Sequence, residues 1–271
     1  QLYDQAKDGV ADIVWTLPGI TAGRFPRVEV FELPFMMTNA EATSRAAWDY
    51  VQKFAPDEFP GVHLISVFVH TPGQLFLSKR PVKTLDDLRG LKLRAPTRQT
   101  TKLLAALGAA PVGMPAPQVP DALSKGVIDG ALMPYELVPT LKLHELTRYV
   151  TETEANFPAL YTAVFIFAMN QAKYDALPAD LKRVIDANSG SELGAWIVRQ
   201  AWSGPDQIAK RTVQQRGNAI TVLRTEELER WRQKTSALDV EWQKEVSAKG
   251  FDGKKLLDSA RTLIAEHAGE K

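Results

Sequence analysis

The chain has 271 residues, of which 45% are hydrophobic and 24% charged, enough to build the core of one large domain or two smaller ones. Lys and Arg number 33 against 32 Asp and Glu, so the net charge is +1 and is spread along the chain. This balance argues against a nucleic-acid partner, because phosphates require a basic stripe. The absence of cysteine excludes a disulfide scaffold, thiolate metal sites and a cysteine nucleophile.

The first part of the chain alternates between helical and extended patterns. No apolar run reaches the ~18 residues of a membrane span. In chain order the predicted elements are a helix ending at Asp8, a buried strand over 11–16, a turn over 33–36, a helix that starts at the capping-box spacing of 38–41 and ends near 54, and strands over 62–69 and 74–78.

The next part is a compact series of alternating strands and short helices. Its predicted elements are a short helix capped by 84–87, a strand over 91–94, a helix over 97–107, a strand over 110–113, a helix over 118–125, a strand over 128–133, a short helix from Pro134, and strands over 148–151 and 160–169. A long helical stretch follows from Pro178 to about Arg216, with a predicted interruption near 203–205. The remaining elements are a strand over 220–223 and two amphipathic helices that carry Leu228, Trp231, Leu238, Trp242 and Val246 on one face.

Strands that alternate with helices predict a mainly parallel α/β architecture. Two observations favour two lobes. Residues 6–12 and 123–129 share a helix end, a glycine and a following strand with Asp, and the helical stretch after Pro178 is long enough to run across both lobes. We expect residues 1–71 and 160–200 to form one lobe, 72–159 and 201–250 the other, and 251–271 a C-terminal helix. A ligand would then lie in the cleft at the carboxyl ends of strands.

Sequence motifs for catalysis are missing. The chain has no dinucleotide-binding or phosphate-binding glycine pattern, no nucleophile elbow and no paired-histidine zinc motif. His63, His70, His144 and His267 have no metal-like spacing and are interpreted as structural or surface residues. We therefore expect no cofactor and no metal ion. An α/β enzyme with a spatially assembled pair of carboxylates stays open as an alternative.

Arg94 is the strongest candidate for a binding residue. Alternation over 91–94 separates Leu91 and Leu93 from Lys92 and Arg94, and places Arg94 at the end of its strand, just before a helix N-terminus. A guanidinium fixed there can hold a carboxylate through two parallel hydrogen bonds. The residues alone also allow a solvated arginine at a strand end.

Several separate motifs resemble one family. LRGLKLRAP, VGMPAPQVPDALSKGVIDGALMPYE, KDGVADIVWTLPG and FELPFM are similar in order and spacing to the substrate-binding proteins of TRAP transporters (DctP type), over nearly the whole chain. The resemblance implies a two-lobed periplasmic binding-protein fold (type II-like) with a long helix spanning both lobes. It also implies that the protein captures an organic acid, delivers it to membrane permease subunits, and pairs Arg94 with the ligand carboxylate.

The departures from this family pattern concern the ligand. Sialic-acid-binding members carry a second Arg where this chain has Gln74, and an Asn where it has Met133, so the expected cleft is less polar. The family's first strand, helix and second strand have no counterpart here, and we expect that the sequence omits an N-terminal segment. The other candidate ligand contacts are Trp15, Phe35, Arg98, Tyr135, Glu136, Asn156 and Tyr161, whereas Trp196 and Trp202 are predicted to pack in the core.

These observations predict a periplasmic solute-binding protein that acts as a monomer and performs no catalysis. One clear arginine favours a monocarboxylate with an apolar or aromatic body as ligand. A C4-dicarboxylate or a 2-oxo or hydroxy acid is the alternative, and a dicarboxylate becomes the better candidate if Arg98 also faces the cleft. A sensory role for the same binding lobes also stays open.

Overall fold

The computed structural model describes residues 1–269. The α-helices of these residues are α1 (Leu2–Lys7), α2 (Ala40–Phe54), α3 (Arg98–Ala106), α4 (Val119–Ser124), α5 (Leu137–Thr140), α6 (Leu143–Leu146), α7 (Gln171–Asp175), α8 (Ala179–Ala187), α9 (Ser191–Val198), α10 (Gly204–Gln215), α11 (Thr225–Thr235), α12 (Ala237–Ser247) and α13 (Gly253–Ala268). The strands are β1 (Ile13–Thr16), β2 (Val62–Val69), β3 (Gln74–Leu77), β4 (Lys92–Ala95), β5 (Ala110–Gly113), β6 (Gly130–Met133), β7 (Tyr149–Thr153), β8 (Val164–Asn170) and β9 (Ala219–Leu223).

The strands form two sheets, one for each lobe. The first has the order β1-β8-β2, and the second the order β5-β4-β6-β3-β7-β9. β8 is antiparallel to both of its neighbours, and β3 is antiparallel to β6 and β7, while the other pairs are parallel. All strands of each sheet except one therefore run in the same direction. This mixed, mostly parallel α/β arrangement confirms the predicted fold class.

Within residues 1–269 the chain passes between the two lobes four times, and the last passage, through α12, is described below. It leaves the first sheet after β2, through residues 70–73, and returns to it after β7, through residues 154–163. The third connection is helical. α9 packs on β2 and α2 beside the first sheet, and α10 contributes Ala209 and Val213 to the core of the second. The predicted helix across both lobes is thus confirmed.

The interruption predicted near 203–205 takes the form of a π-helical stretch and not of a break. α9 continues into α10 through π-helical residues Arg199–Ser203, directly before Pro205, whose ring and missing N–H are incompatible with regular α-helical hydrogen bonding to the preceding turn. The break comes earlier, between α8 and α9. Gly190 there has a φ of 103°, and its backbone bonds to β2 through Ile65 and Ser66.

The C-terminal region contributes to both lobes. The residues after β9 form three helices, α11, α12 and α13, within the described part of the chain. Leu228, Trp231 and Leu238 pack in the core of the second sheet, whereas Trp242 and Val246 belong to the core of the first. These five residues were predicted to share one face. They instead divide between two cores, and α12, which carries Leu238 as well as Trp242 and Val246, links the two. The proposed division of the chain into lobes stays a prediction.

Candidate ligand-binding cleft

Arg94 is a buried cation without a counter-charge. It lies on β4, between β5 and β6, and is only 5% exposed. Its Nε donates to the carbonyl oxygen of Met114 at 3.0 Å, and its Nη1 donates to that of Leu132 at 2.8 Å. Within residues 1–269 neither its hydrogen bonds nor its ion pairs involve a carboxylate. Burial lowers the pKa of Arg94 to about 10, because desolvation penalises a charge that has no counter-ion in the described residues.

The second lobe holds this guanidinium rigidly. Both carbonyl acceptors come from segments next to β4 in the sheet, and Met133 Sδ lies 2.9 Å from Nη1. These three contacts keep the guanidinium within the second lobe. An anionic group brought to Arg94 would supply the charge compensation that the protein itself leaves out.

Tyr161 lies beside Arg94 on the segment that returns to the first sheet. It is 1% exposed, and residues 1–269 give its hydroxyl no hydrogen-bond partner. Burial raises the pKa of Tyr161, and the charge of Arg94 opposes that rise. The ring lies directly against Gly73 on the other crossing segment, and the backbone N–H of Gly73 donates to the Tyr161 carbonyl at 3.1 Å. The two crossing segments are thus locked together next to the cation.

A methyl group at Gly73 should disturb this contact and weaken ligand binding. A Cβ at Gly73 would lie 2.0 Å from the Tyr161 ring, so Gly73→Ala must displace that ring from Arg94. We expect at least a tenfold loss of acid binding by calorimetric titration. Gly113→Ala is the matched control, because a Cβ at Gly113 meets nothing within 4 Å. If the two variants bound the acid with equal affinity, Tyr161 would not be part of the binding site.

Aromatic rings line the first-lobe side of the crossing. Trp15 stacks on Phe165 with ring centroids 4.8 Å apart, and its own side chain is half exposed. His70 lies edge-on to Tyr161 at 5.3 Å and to Phe165 at 6.2 Å. Burial lowers the pKa of His70 to about 4, so this ring is neutral at physiological pH. The wall therefore offers flat apolar surface without a further charge.

An acidic cluster faces the same region from the second lobe. Glu136 precedes α5 and Asp206 lies in the first turn of α10. Burial and the neighbouring Asp206 raise the pKa of Glu136 to about 8, and burial raises that of Asp206 to about 6. The Trp202 indole N–H faces the Glu136 carboxyl and opposes this rise, although neither Glu136 Oε2 nor Trp202 Nε1 forms a hydrogen bond of normal geometry.

Three other predicted contacts lie on the second sheet or just after one of its strands. Gln74 and Met133 are register partners on β3 and β6, and both are buried. Gln74 Nε2 donates to the Pro72 carbonyl at 3.0 Å, while its Oε1 has no partner. Tyr135 is already engaged, because its hydroxyl donates to Glu152. Met133 is therefore the member of this group that touches Arg94.

Arg98 does not supply a second free cation, which corrects the expectation that it could. Its guanidinium forms ion pairs with Glu29 and, at 2.7 Å, with Glu245, so its charge is compensated within the protein. Phe35 packs edge-on against Phe157 with ring centroids 5.6 Å apart, and Asn156 is exposed in the turn after β7. We leave these three residues out of the proposed site.

Sequence reasoning missed Thr71 and Asp206 and assigned His70 and Trp202 mainly to structural roles. His70 and Thr71 follow a long buried strand directly before Pro72 and Gly73, a position where cleft residues gather. That pattern could have identified both. Asp206 and Trp202 have no comparable signal, since they resemble ordinary residues of an amphipathic helix.

The ligand-free protein should become less stable as pH rises from 6.5 to 8. Burial raises the pKa of Glu32 and Glu136 to about 8 and of Glu58 to about 7, so the folded state retains protons that the unfolded chain has released. Stability is lost as pH rises through these folded-state values. His70 has a lowered pKa, so it reduces stability only below pH 6.5, where the unfolded chain takes up a proton that the buried ring does not. Thermal unfolding at constant ionic strength measures this. A midpoint that is flat or rises with pH would contradict these pKa directions.

Two lobes are joined by two crossing segments, by the helix from α9 to α10 and by α12, and residues 1–269 leave a buried cation uncompensated beside the crossing segments. These features define a ligand-capturing binding protein. The chain belongs to the bacterial extracellular solute-binding protein family 7 (DctP), whose sequence profile matches residues 1–245. The predicted resemblance to TRAP solute-binding proteins is confirmed. Within residues 1–269 no helix combines the length and apolarity needed to cross a membrane.

Solved structures support the same family assignment. A TRAP solute-binding protein from Rhodoferax ferrireducens, in complex with copurified benzoate, is 52% identical with a TM-score of 0.97, and the match covers 99% of this chain and 83% of that one. A marine metagenome protein specific for aromatic acids, crystallised with 3-hydroxybenzoate, is 43% identical with a TM-score of 0.95, covering 98% and 83%. A Bordetella bronchiseptica protein with bound mandelate is 30% identical with a TM-score of 0.89, covering 97% and 83%.

Proposed function

We propose that this protein captures an aromatic monocarboxylate between its lobes, with Arg94 holding the carboxylate. The observation that carries the proposal is the buried guanidinium of Arg94, 5% exposed and without an acidic partner in residues 1–269. A carboxylate can accept two parallel hydrogen bonds from such a group. The structure already provides the positive half of a charge pair, and the ligand supplies the negative half.

The rest of the cleft favours an aromatic body. Trp15, Phe165, His70 and Tyr161 form a connected set of ring contacts, of which His70 and Tyr161 lie within electrostatic reach of the cation. The relatives described above were crystallised with benzoate, 3-hydroxybenzoate and mandelate, which are all aromatic monocarboxylates. The C4-dicarboxylate alternative loses support, because the charge of Arg98 is neutralised by Glu29 and Glu245.

The proposed physiological role is capture and delivery without chemistry. In this proposal the protein acts in the periplasm as a monomer, binds the acid by closing its lobes, and hands it unchanged to TRAP membrane permease subunits. Ligand binding shifts the population toward the closed form because the closed form makes more contacts with the ligand. A sensory role would use the same binding step with a different receiver.

A ligand series tests the proposal. The protein is unfolded and refolded to remove copurified ligand, and then titrated calorimetrically with benzoate, phenylacetate, succinate and a sugar acid. We expect the aromatic acids to bind and to stabilise the fold by about 2.7 kcal/mol at a hundredfold excess over Kd. The bound acid should be recovered chemically unchanged. Tight binding of succinate alone, or conversion of the acid to a product, would contradict the proposal.

A further inference from the structure

We propose that Glu136 and Asp206 form a second polar subsite, which recognises a hydroxyl group on the bound aromatic acid away from the carboxylate held by Arg94. This inference rests on the proposed function and specifies its ligand further. It concerns a region that a simple benzoate would leave without polar partners. The ligand class is therefore a hydroxylated aromatic acid.

Unpartnered buried polar atoms are concentrated around this pair. Trp202 and Thr71 are 4% and 5% exposed. The indole N–H faces Glu136 and the Thr71 hydroxyl faces Asp206, but within residues 1–269 neither Nε1 nor Oγ1 forms a hydrogen bond of normal geometry. The same holds for one carboxyl oxygen of Glu136, Oε2, and one of Asp206, Oδ1. Buried polar groups are nearly always hydrogen-bonded in native proteins, so these loosely paired atoms retain hydrogen-bonding capacity that a ligand can fill.

The cluster is part of the Arg94 cleft. Tyr161 is influenced by the charges of both Arg94 and Glu136, so its unpartnered hydroxyl lies within electrostatic reach of the cation and of the acidic pair. Trp202 also belongs to the ring wall, with its centroid 5.7 Å from that of Phe165 and 6.1 Å from that of Trp15. A flat acid lying along this wall therefore meets Arg94 at one end and the acidic pair elsewhere on its ring.

The charge of the pair selects a hydroxyl. Two acidic side chains repel the ligand carboxylate, which directs that group toward Arg94. Burial together with repulsion from Asp206 raises the pKa of Glu136 to about 8, so near neutral pH the pair retains a proton. A pair of this kind has both a donor and acceptors. A hydroxyl matches it because a hydroxyl both donates and accepts, whereas the neutral amino group of an aminobenzoate donates but accepts only weakly, since its lone pair is delocalised into the ring.

The test compares benzoate, the three hydroxybenzoates, the matching methoxybenzoates and the matching aminobenzoates by calorimetric titration of refolded protein. A methoxy group accepts hydrogen bonds but cannot donate them. We expect the preferred hydroxybenzoate to bind wild-type protein at least tenfold tighter than both benzoate and its methoxy counterpart. In Glu136→Leu and in Asp206→Leu this advantage should disappear, so that the hydroxybenzoate and its methoxy counterpart bind with about equal affinity.

Controls separate recognition from folding. Asp180→Leu is matched to Asp206→Leu, since both acids lie in the first turn of a helix, and Asp180 is exposed. We expect it to retain the full hydroxyl advantage. The wild-type comparison of hydroxy with methoxy acids needs no variant, so the proposal stays testable if a substitution prevents folding.

The outcomes discriminate between this inference and the proposed function. A hydroxyl advantage that disappears in both cleft variants supports the subsite. Equal binding of benzoate and all hydroxybenzoates, an advantage retained in both variants, or preference for an aminobenzoate overturns it while leaving aromatic-acid capture intact. Failure of every aromatic acid to bind overturns the proposed function and the subsite together.

Discussion

Arg94→Ala is expected to abolish aromatic-acid binding. Removing one partner of a buried, hydrogen-bonded charge pair costs about 2–5 kcal/mol of binding, because the other charge is then buried without compensation. This corresponds to roughly a 30-fold to several-thousand-fold increase in Kd. Titration of the refolded variant with benzoate measures the loss.

The fold should tolerate this substitution, since Arg94 neutralises no acidic group in the described residues and its hydrogen bonds are to two backbone carbonyls and the Met133 sulfur. Arg94→Lys should also bind poorly, because an ammonium cannot reproduce the bidentate geometry. Arg89→Ala is the control. Arg89 lies on the same segment, and its side chain is 84% exposed. If Arg94→Ala kept wild-type affinity, the carboxylate would be held elsewhere.

Arg98→Met is expected to lower the free energy of unfolding by about 3 kcal/mol without changing which acids bind. The substitution leaves Glu29, which is 1% exposed, with only the amide of Gln99 as a side-chain partner. Breaking a buried ion pair by removing one member is strongly destabilising for this reason. Urea unfolding monitored by circular dichroism gives the difference.

A double substitution shows whether the unpaired charge is the cause. Glu29→Gln combined with Arg98→Met removes both charges and should recover most of the lost stability. Arg183→Met, at an exposed position on α8, should stay close to wild type. The interpretation of Arg98 as an ion-pair residue fails if Arg98→Met is as stable as wild type, or if it selectively loses binding of diacids.

Most of the fold could be predicted because local patterns agree with the final packing. The glycine turns at Gly9 and Gly126 both have positive φ and both lead from a helix into a strand, as the repeated sequence suggested. The helix predicted over 97–107 begins at Thr97, whose side chain caps it by accepting from the N–H of Thr100. The break at Gly190 could not be predicted, because it depends on backbone contacts with β2, more than a hundred residues earlier.

A site residue could be predicted only where the pattern of a single strand places it. The binding role proposed for Arg94 follows from the alternation of residues along β4 together with the family resemblance. The role of Arg98 depends on Glu29 and Glu245, which lie 69 and 147 positions away in sequence, so no local pattern distinguishes it from a ligand-binding arginine. Thr71 and Asp206 likewise meet only because the crossing segment and α10 pack together in three dimensions.

The most direct test of the account is a crystal structure of the refolded protein with benzoate. We predict that the carboxylate lies between the lobes and accepts two hydrogen bonds from the Arg94 guanidinium, with the ring against Tyr161 and the aromatic wall. Benzoate bound elsewhere, with Arg94 still lacking an anionic partner, would contradict the central claim.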